Sequence, residues 1–400
     1  MPQRPRLCIA VNQSVADKNI QFAETIRKCV CDAHHSQRGV SCTSPQSNQH
    51  TAENRYRRAL AAIDCERSMI IQPEHRAEHN PPLVTVVIVN FNGGEMICQC
   101  LAALETQRFK NFMTVVVDNN SSDNSLSCIR TRFPSVVVLA LPANLGFAGG
   151  VNHALQVCDL GTWVALLNPD AFPTEDWLAN LISSAANHPA YATFGSRMFS
   201  DEQQQQLDGV GDAYHVSGLP WRSGHGCPNS PRHDREAEIF APCAAAAMYR
   251  VSALKSVGLF DEDFFLYVED IDIGFRLRLA GYRALYVPTA TIRHVGSAFV
   301  GKHSDFQIYH GHRNLVWVYI KNMPGILFWI FLPLHLALNI ASLLWFGLRG
   351  HGTIMYRAKR DACLGIPRFW KKRQEIQSGR KVGIGSILRQ LSWNPFTRCA

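Results

Sequence analysis

The chain has 400 residues, 46% of them apolar, values that fit one large globular domain with appendages. Its net charge of +8 is not spread: from Arg349 to Ala400 twelve Lys or Arg face only Asp361 and Glu375, a balance of +10, so the preceding residues together carry −2. That distribution excludes the broad basic surface that binds nucleic acid through counterion release.

Residues 1–80 are polar, rich in His, Gln and Ser, with short helix-like patches such as "NRYRRALAAIDCERSM", and are expected to be a poorly ordered extension. Cys29, Cys31, His34, His35 and Cys42 form a candidate zinc cluster whose spacing matches no standard finger. Met69 is a candidate start. The thirteen cysteines are scattered without a repeating framework and no apolar signal segment opens the chain, a pattern that predicts a reducing cytoplasm.

From Leu83 the pattern changes to apolar strands alternating with helices: "LVTVVIVNF", "GEMICQCLAALETQ", "FMTVVVDNN", "SLSCIRTRF", "VVVLAL" and "TWVALLN". Continuous apolar strands between helices predict a doubly wound α/β domain over 81–300, its mostly parallel sheet covered on both faces. Pro173 and Thr174, followed by Glu175 and Asp176, predict the start of a further helix.

Ligands of such sheets bind beyond the carboxyl ends of the strands. Polar residues cluster at four successive ends: Asn90 and Asn92, Asp118 to Asp123, Asn144, then Asn168 and Asp170. A solvated loop explains each alone; four in register point to a site. The segment "NLGFAGGVNHAL" either presents free amides to phosphate or uses its glycines for tight helix packing. Asp170 in "LLNPDAF" either reaches a divalent cation or makes a turn, and His294 in "TIRHVGS" is either a second metal ligand or a structural hydrogen-bonding group. In "FFLYVEDIDIGFRLRLAGY", Glu269, Asp270 and Asp272 suit a helix N-terminus closed by Gly281 or, alternatively, a catalytic pocket.

The order "VVIVNFN", "VVVDNNSSD", "NLGFAGGVN", "LLNPDAF", "FFLYVEDIDIGFRLRLAGY" and "TIRHVGS" resembles a family 2 glycosyltransferase of the rhamnosyltransferase-like branch over about residues 83–300. The resemblance implies an A-type nucleotide-sugar-binding fold and an inverting, metal-dependent sugar transfer, with L-rhamnose from a dTDP donor as the expected sugar. It implies donor contacts from Asn90, Asp118, Asp123, Asn144, Phe147, Asn152 and Asn168, and a magnesium or manganese ion on Asp170 and His294. It also implies Asp270 as general base with Glu269 beside it. Asn168 stands where the family's metal triplet has its first acid, and "CAAAAMYR" stands where relatives usually have glycine. Two other functions fit strand-end carboxylates: a nucleotidyltransferase, and a non-catalytic membrane-bound sugar-binding protein.

Within a helical region over 301–348, Gly325 to Leu348 contains no charge and is long enough to cross a bilayer, although Pro333, His335 and Asn339 interrupt it. A crossing would set the basic 349–400 tail opposite a domain that needs cytoplasmic nucleotide sugar, against the positive-inside tendency. A surface-lying or re-entrant segment on the cytoplasmic face of the inner membrane, with the tail on anionic headgroups, meets both constraints. The acceptor expected there is a lipid-linked or lipopolysaccharide oligosaccharide.

Overall fold

The computed structural model describes residues 81–296 and 304–394; the N-terminal extension and the candidate zinc cluster lie outside the described residues. Strand β1 (Val84–Asn90) alternates as a doubly covered strand should: Val84, Val86 and Ile88 enter one core, Val87 the other. β2 (Phe112–Asp118) and β4 (Trp163–Leu167) split in the same way. Helices α1 (Gly94–Glu105) and α4 (Trp177–Asn187) cover the first face through Ile97, Leu101, Trp177 and Leu181. Helix α3 (Gly146–Val157) covers the second through Val151 and Leu155. α2 (Ser125–Arg132) follows β2, and β3 (Val137–Ala140) forms one edge. Although the cysteine spacing shows no framework, Cys98 of α1 and Cys128 of α2 lie side by side because the two helices are neighbours.

The sheet is mixed rather than mostly parallel. The run β3-β2-β1-β4 is parallel. β11 (Ala246–Arg250) then inserts antiparallel between β4 and β6 (Tyr191–Phe199). β12 (Arg283–His294) runs parallel to β6 and antiparallel to both β5 (Ala171–Pro173) and β10 (Ala237–Ile239). The alanine run thus lies in a central strand, its small side chains buried on both sheet faces. Three-residue strands complete the rim: β7 (Leu207–Gly209) pairs with β6, while β8 (Asp212–Tyr214) and β9 (Pro220–Arg222) form a separate hairpin.

Short helix α5 (Val251–Ser256) precedes α6 (Glu269–Leu279), which ends before Gly281 at φ +91. Glu175 and Asp176 fall before α4 rather than in its first turn, and both pair with Arg108. A third core joins α6 to α7 (Asp305–Asn322), α8 (Gly325–Phe346), α10 (Ile366–Ser378) and α11 (Ile384–Gln390), with Phe275, Trp317, Phe331, Phe369 and Ile387 among its buried side chains. Between α8 and α10 lies α9 (Gly352–Leu364). The expected basic tail is therefore three helices with α9 and α10 packed on α7, and several of its cations are internal: Lys372 and Arg368 pair with Asp263, and Arg373 caps the carbonyls of Ile320 and Met323.

Candidate active site

Strand register builds the first part of the site. β1 and β2 pair so that Asn90 lies opposite Asp118 at the carboxyl edge. The Asn90 amide donates to Asp118 Oδ1 (3.0 Å), Ser121 Oγ and Ser125 Oγ, and the Ser121 N–H donates to Asp118 Oδ2. Asp123 accepts from the Ser125 hydroxyl and from the Ser125 and Gly94 N–H groups; despite some burial, these hydrogen bonds lower its pKa. A Cβ on Gly93 would lie 2.2 Å from Asn90 Oδ1, so only glycine permits this approach. Asn90 Oδ1 itself is buried without a hydrogen-bond partner.

A second group is assembled by pairings that sequence distance hides. Antiparallel β5 and β12 place His294 opposite Ala171, bringing its Nε2 to 3.3 Å from Asp170 Oδ1. β7, paired to β6 beside β12, brings Asp208, whose Oδ2 lies 2.8 Å from His294 Nδ1. The imidazole is 5% exposed and held between two carboxylates. Burial alone would lower its pKa, but the bonds to Asp170 and Asp208 outweigh it and raise the value. The amide of Asn168 stands 3.4 Å from the same Nε2.

From Asp208 the network continues to Asp270. Arg222 donates to Asp208 Oδ2 (2.6 Å) and to Cys243 Sγ (2.8 Å), and its partner across the β8–β9 hairpin is Asp212. Polar atoms of Asp212, Cys243 and Asp270 lie within 4.8 Å of one another. Burial and the neighbouring Asp270 push Asp212 well above the usual carboxyl range. Burial also raises Asp270, but Arg222 and the Ile271 and Ala244 N–H groups oppose it. Both carboxyls are raised, and Asp212 carries the larger push. Asp170, His294, Asp208, Arg222, Asp212 and Asp270 thus form one contiguous chain of charge at the sheet rim.

The three acids at the start of α6 do different things. Asp270 faces that network. Asp272 is fully buried and turns the other way, pairing with Arg276 and with Lys321 and Asn322 of α7. Glu269 is 6% exposed, its Oε2 has no partner, and burial with Asp270 beside it raises its pKa well above normal. The preceding segment is strained: Phe265, Tyr267 and Val268 all have φ between +64° and +70°, each costing about 1–3 kcal/mol. Asn314 of α7 restrains it, donating to the carbonyls of Phe264, Leu266 and Tyr267.

The glycine-rich turn is not a set of free amides. The Leu145 N–H donates to Asn119 Oδ1, Gly146 N–H to Asn144 Oδ1, and the Phe147 and Ala148 N–H groups to the carbonyl of Phe265. Packing explains its glycines: a Cβ on Gly146, at φ +73, would meet that carbonyl at 2.4 Å, and one on Gly150 would meet Val89 at 2.8 Å. Phe147 packs edge-on against Phe260. Asn152, expected to contact the donor, instead gives both amide hydrogens to Phe260 O and Glu262 Oε1 and accepts from the Phe260 N–H.

Residues 85–258 match the family profile described as Glycosyl transferase family 2, and residues 239–359 match Glycosyl transferase family group 2. Residues 85–258 are a family 2 glycosyltransferase domain. Its architecture is a mixed α/β sheet covered by helices on both faces. Among similar proteins, N-acetylglucosaminyl-diphospho-decaprenol L-rhamnosyltransferase of Mycobacterium tuberculosis is 27% identical over 53% of this chain and 76% of its own. O-antigen chain rhamnosyltransferase WbaN of Salmonella anatum is 23% identical over 53% of this chain and 66% of its own. The solved structure of GalNAc-T7 with UDP, GalNAc and Mn2+ has a TM-score of 0.47 at 16% identity; the match covers 60% of this glycosyltransferase and about half, 48%, of that chain.

Asp208, Asp212 and Arg222 of this glycosyltransferase escape a reading of sequence. Their strands are three residues long and carry no periodic signal; the one cue is "DGVGD", two acids separated by glycines, with an arginine ten residues later.

Proposed function

We propose that this glycosyltransferase moves a sugar, L-rhamnose from a dTDP donor, with inversion onto a hydroxyl of a lipid-linked or lipopolysaccharide acceptor at the cytoplasmic face of the membrane. The observation that carries the reading is the continuous network from Asp170 through His294, Asp208 and Arg222 to Asp270. Rhamnose and the lipid-linked acceptor rest on what the mycobacterial and Salmonella relatives are named for.

Asp270 is the general base. A buried carboxylate takes a proton from the acceptor hydroxyl best when its pKa lies above the ordinary carboxyl range yet leaves it ionised near neutral pH. Burial raises Asp270, and Arg222 and two backbone amides restrain the rise. Asp212 carries the stronger upward push, and the two carboxyls titrate as a pair.

The donor set at Asp170 and His294 fits a divalent cation: one carboxylate oxygen and one imidazole nitrogen lie 3.3 Å apart, and the other ring nitrogen is oriented by Asp208. Bound there, magnesium or manganese would offset charge on the departing nucleoside diphosphate. Asn90, Asp118 and Asp123 form the nucleoside end, and the Asn144 to Phe147 turn shapes the wall between it and the base.

Purified protein incubated with dTDP-L-rhamnose and manganese is expected to release nucleoside diphosphate in an Asp270-dependent manner. Release of rhamnose 1-phosphate in place of nucleoside diphosphate, or donor binding without turnover, would end this reading in favour of nucleotidyl transfer or a non-catalytic role. Arg222→Gln is expected to move the acidic limb of the kcat–pH profile upward by about one unit or more, since losing the cation raises the Asp270 pKa. An unmoved limb would separate Arg222 from the base.

Membrane attachment falls to α8. Leu327, Phe328, Phe331 and His335 are buried against the domain, whereas Ile326, Trp329, Ile330, Leu336, Ile340 and Leu344 are each more than half exposed. His335 is fixed to Ser217 O (2.8 Å) and stacks on Tyr319. A helix with one face committed to the domain favours lying in the interface over crossing it. Arg349 over Trp345 adds a cation at its far end. Trp329→Glu with Ile340→Glu, removing roughly 2 kcal/mol of apolar burial per site, is expected to move the protein into the soluble fraction. Unchanged membrane association would refute the role of α8.

A further inference from the structure

Where α8 begins, its first residue shares a cavity of about 290 Å³ with one side of α10, lined by Gly325, Trp370, Arg373, Gln374, Gln377 and Arg380. Two guanidinium groups face it, and among the described residues neither pairs with a carboxylate. Arg380 Nη1 is buried with no hydrogen-bond partner at all. Arg373 is 8% exposed and rigidly set: Nη1 donates to the carbonyls of Ile320 and Met323, and the guanidinium lies 4.5 Å from the centroid of Phe328 and 5.5 Å from that of Trp370. The acids close to this end of the molecule are engaged elsewhere, Asp261 and Asp263 by Lys321, Lys372 and Arg368. Glu375, the one acid of α10, is exposed and does not line the cavity.

An unneutralised pair of arginines beside amide side chains and the positive end of a 22-residue helix is a site for an anion with several acceptor oxygens. The surroundings specify its carrier. Trp370 forms part of the cavity wall, and its ring centroid lies 6.5 Å from that of Trp329, which is 58% exposed on the apolar face of α8 beside Ile326 and Ile330. A phosphate seated between the arginines would therefore have a hydrocarbon chain alongside that face. We propose that this cavity binds the phosphomonoester headgroup of an anionic membrane lipid, with the lipid's chain lying along the exposed side of α8.

The inference rests on the interfacial attachment proposed for α8, and the test separates the two. Full-length protein is sedimented with phosphatidylcholine vesicles and with vesicles containing phosphatidic acid, alone and with excess inorganic phosphate. Wild type is expected to bind both vesicle types, the anionic one more tightly. Arg380→Gln is expected to bind anionic vesicles about fivefold more weakly, the worth of one basic side chain at an anionic surface, with neutral-vesicle binding and donor hydrolysis unchanged; Arg380→Lys restores part of the loss. Equal binding of anionic vesicles by wild type and Arg380→Gln overturns the cavity assignment while leaving attachment through α8 intact. Failure of wild type to bind either vesicle overturns both. Arg380-dependent binding of inorganic phosphate, with no Arg380-dependent difference between the two vesicle types, assigns the cavity to a free ion and overturns the lipid.

Discussion

Asp270→Asn is expected to leave donor binding intact and to lower turnover by about 10²–10⁴-fold, the usual worth of a positioned general base. The substitution is close to neutral for the fold, because the remaining carbonyl oxygen still accepts from the Ile271 and Ala244 N–H groups. Only the capacity to take a proton is removed. Asp212→Asn is the matched control: it keeps the shape and hydrogen-bonding capacity of the side chain without altering the proposed base, so most of the activity should survive. Donor affinity by calorimetry and turnover by nucleoside diphosphate release are the paired measurements. Near-normal turnover in Asp270→Asn would remove the base from the mechanism.

Asp272→Ala should cost stability instead, about 3–5 kcal/mol in urea unfolding, the range for a buried ion pair broken from one side. Asp272 has no exposed surface, and its loss strands Arg276, 5% exposed, with the Val257 carbonyl as its remaining partner. Lys321 is left to Asp261 and Asn322 loses an acceptor. Because Lys321 is buried and its pKa is lowered by that burial, Asp272→Ala combined with Lys321→Met should cost less than the sum of the single substitutions. Strict additivity, or a loss below about 1 kcal/mol for Asp272→Ala, would show that the pair is not coupled as its geometry implies.

These two acids, two residues apart, illustrate what was legible in the sequence. The alternation of β1, β2 and β4 identifies a doubly covered sheet, because each strand's apolar run supplies two cores. The neighbourhood of Asn90 and Asp118 follows from parallel register alone. Which of three clustered acids faces the site does not follow, because Asp272 is claimed by residues of α7 about fifty positions away. The sequence leaves the glycine turn open between free amides and tight packing for the same reason: the Phe147 and Ala148 amides are met by the Phe265 carbonyl, brought from another part of the chain. Asp208, Asp212 and Arg222 are hidden by brevity, since a three-residue strand leaves no period to detect and its chemistry exists only once β7 pairs with β6 and β8 with β9.

Asn314 has a mechanical consequence. It projects from α7, the same rod on which α9 and α10 rest, yet its amide grips three carbonyls of the left-handed segment that aims Glu269 and Asp270. Rocking that rod against the sheet must either tear the grip or drag the segment along. The Asp270 carboxylate is thus suspended from the helical half of the molecule, and its aim is set from there as much as from the strands beneath it.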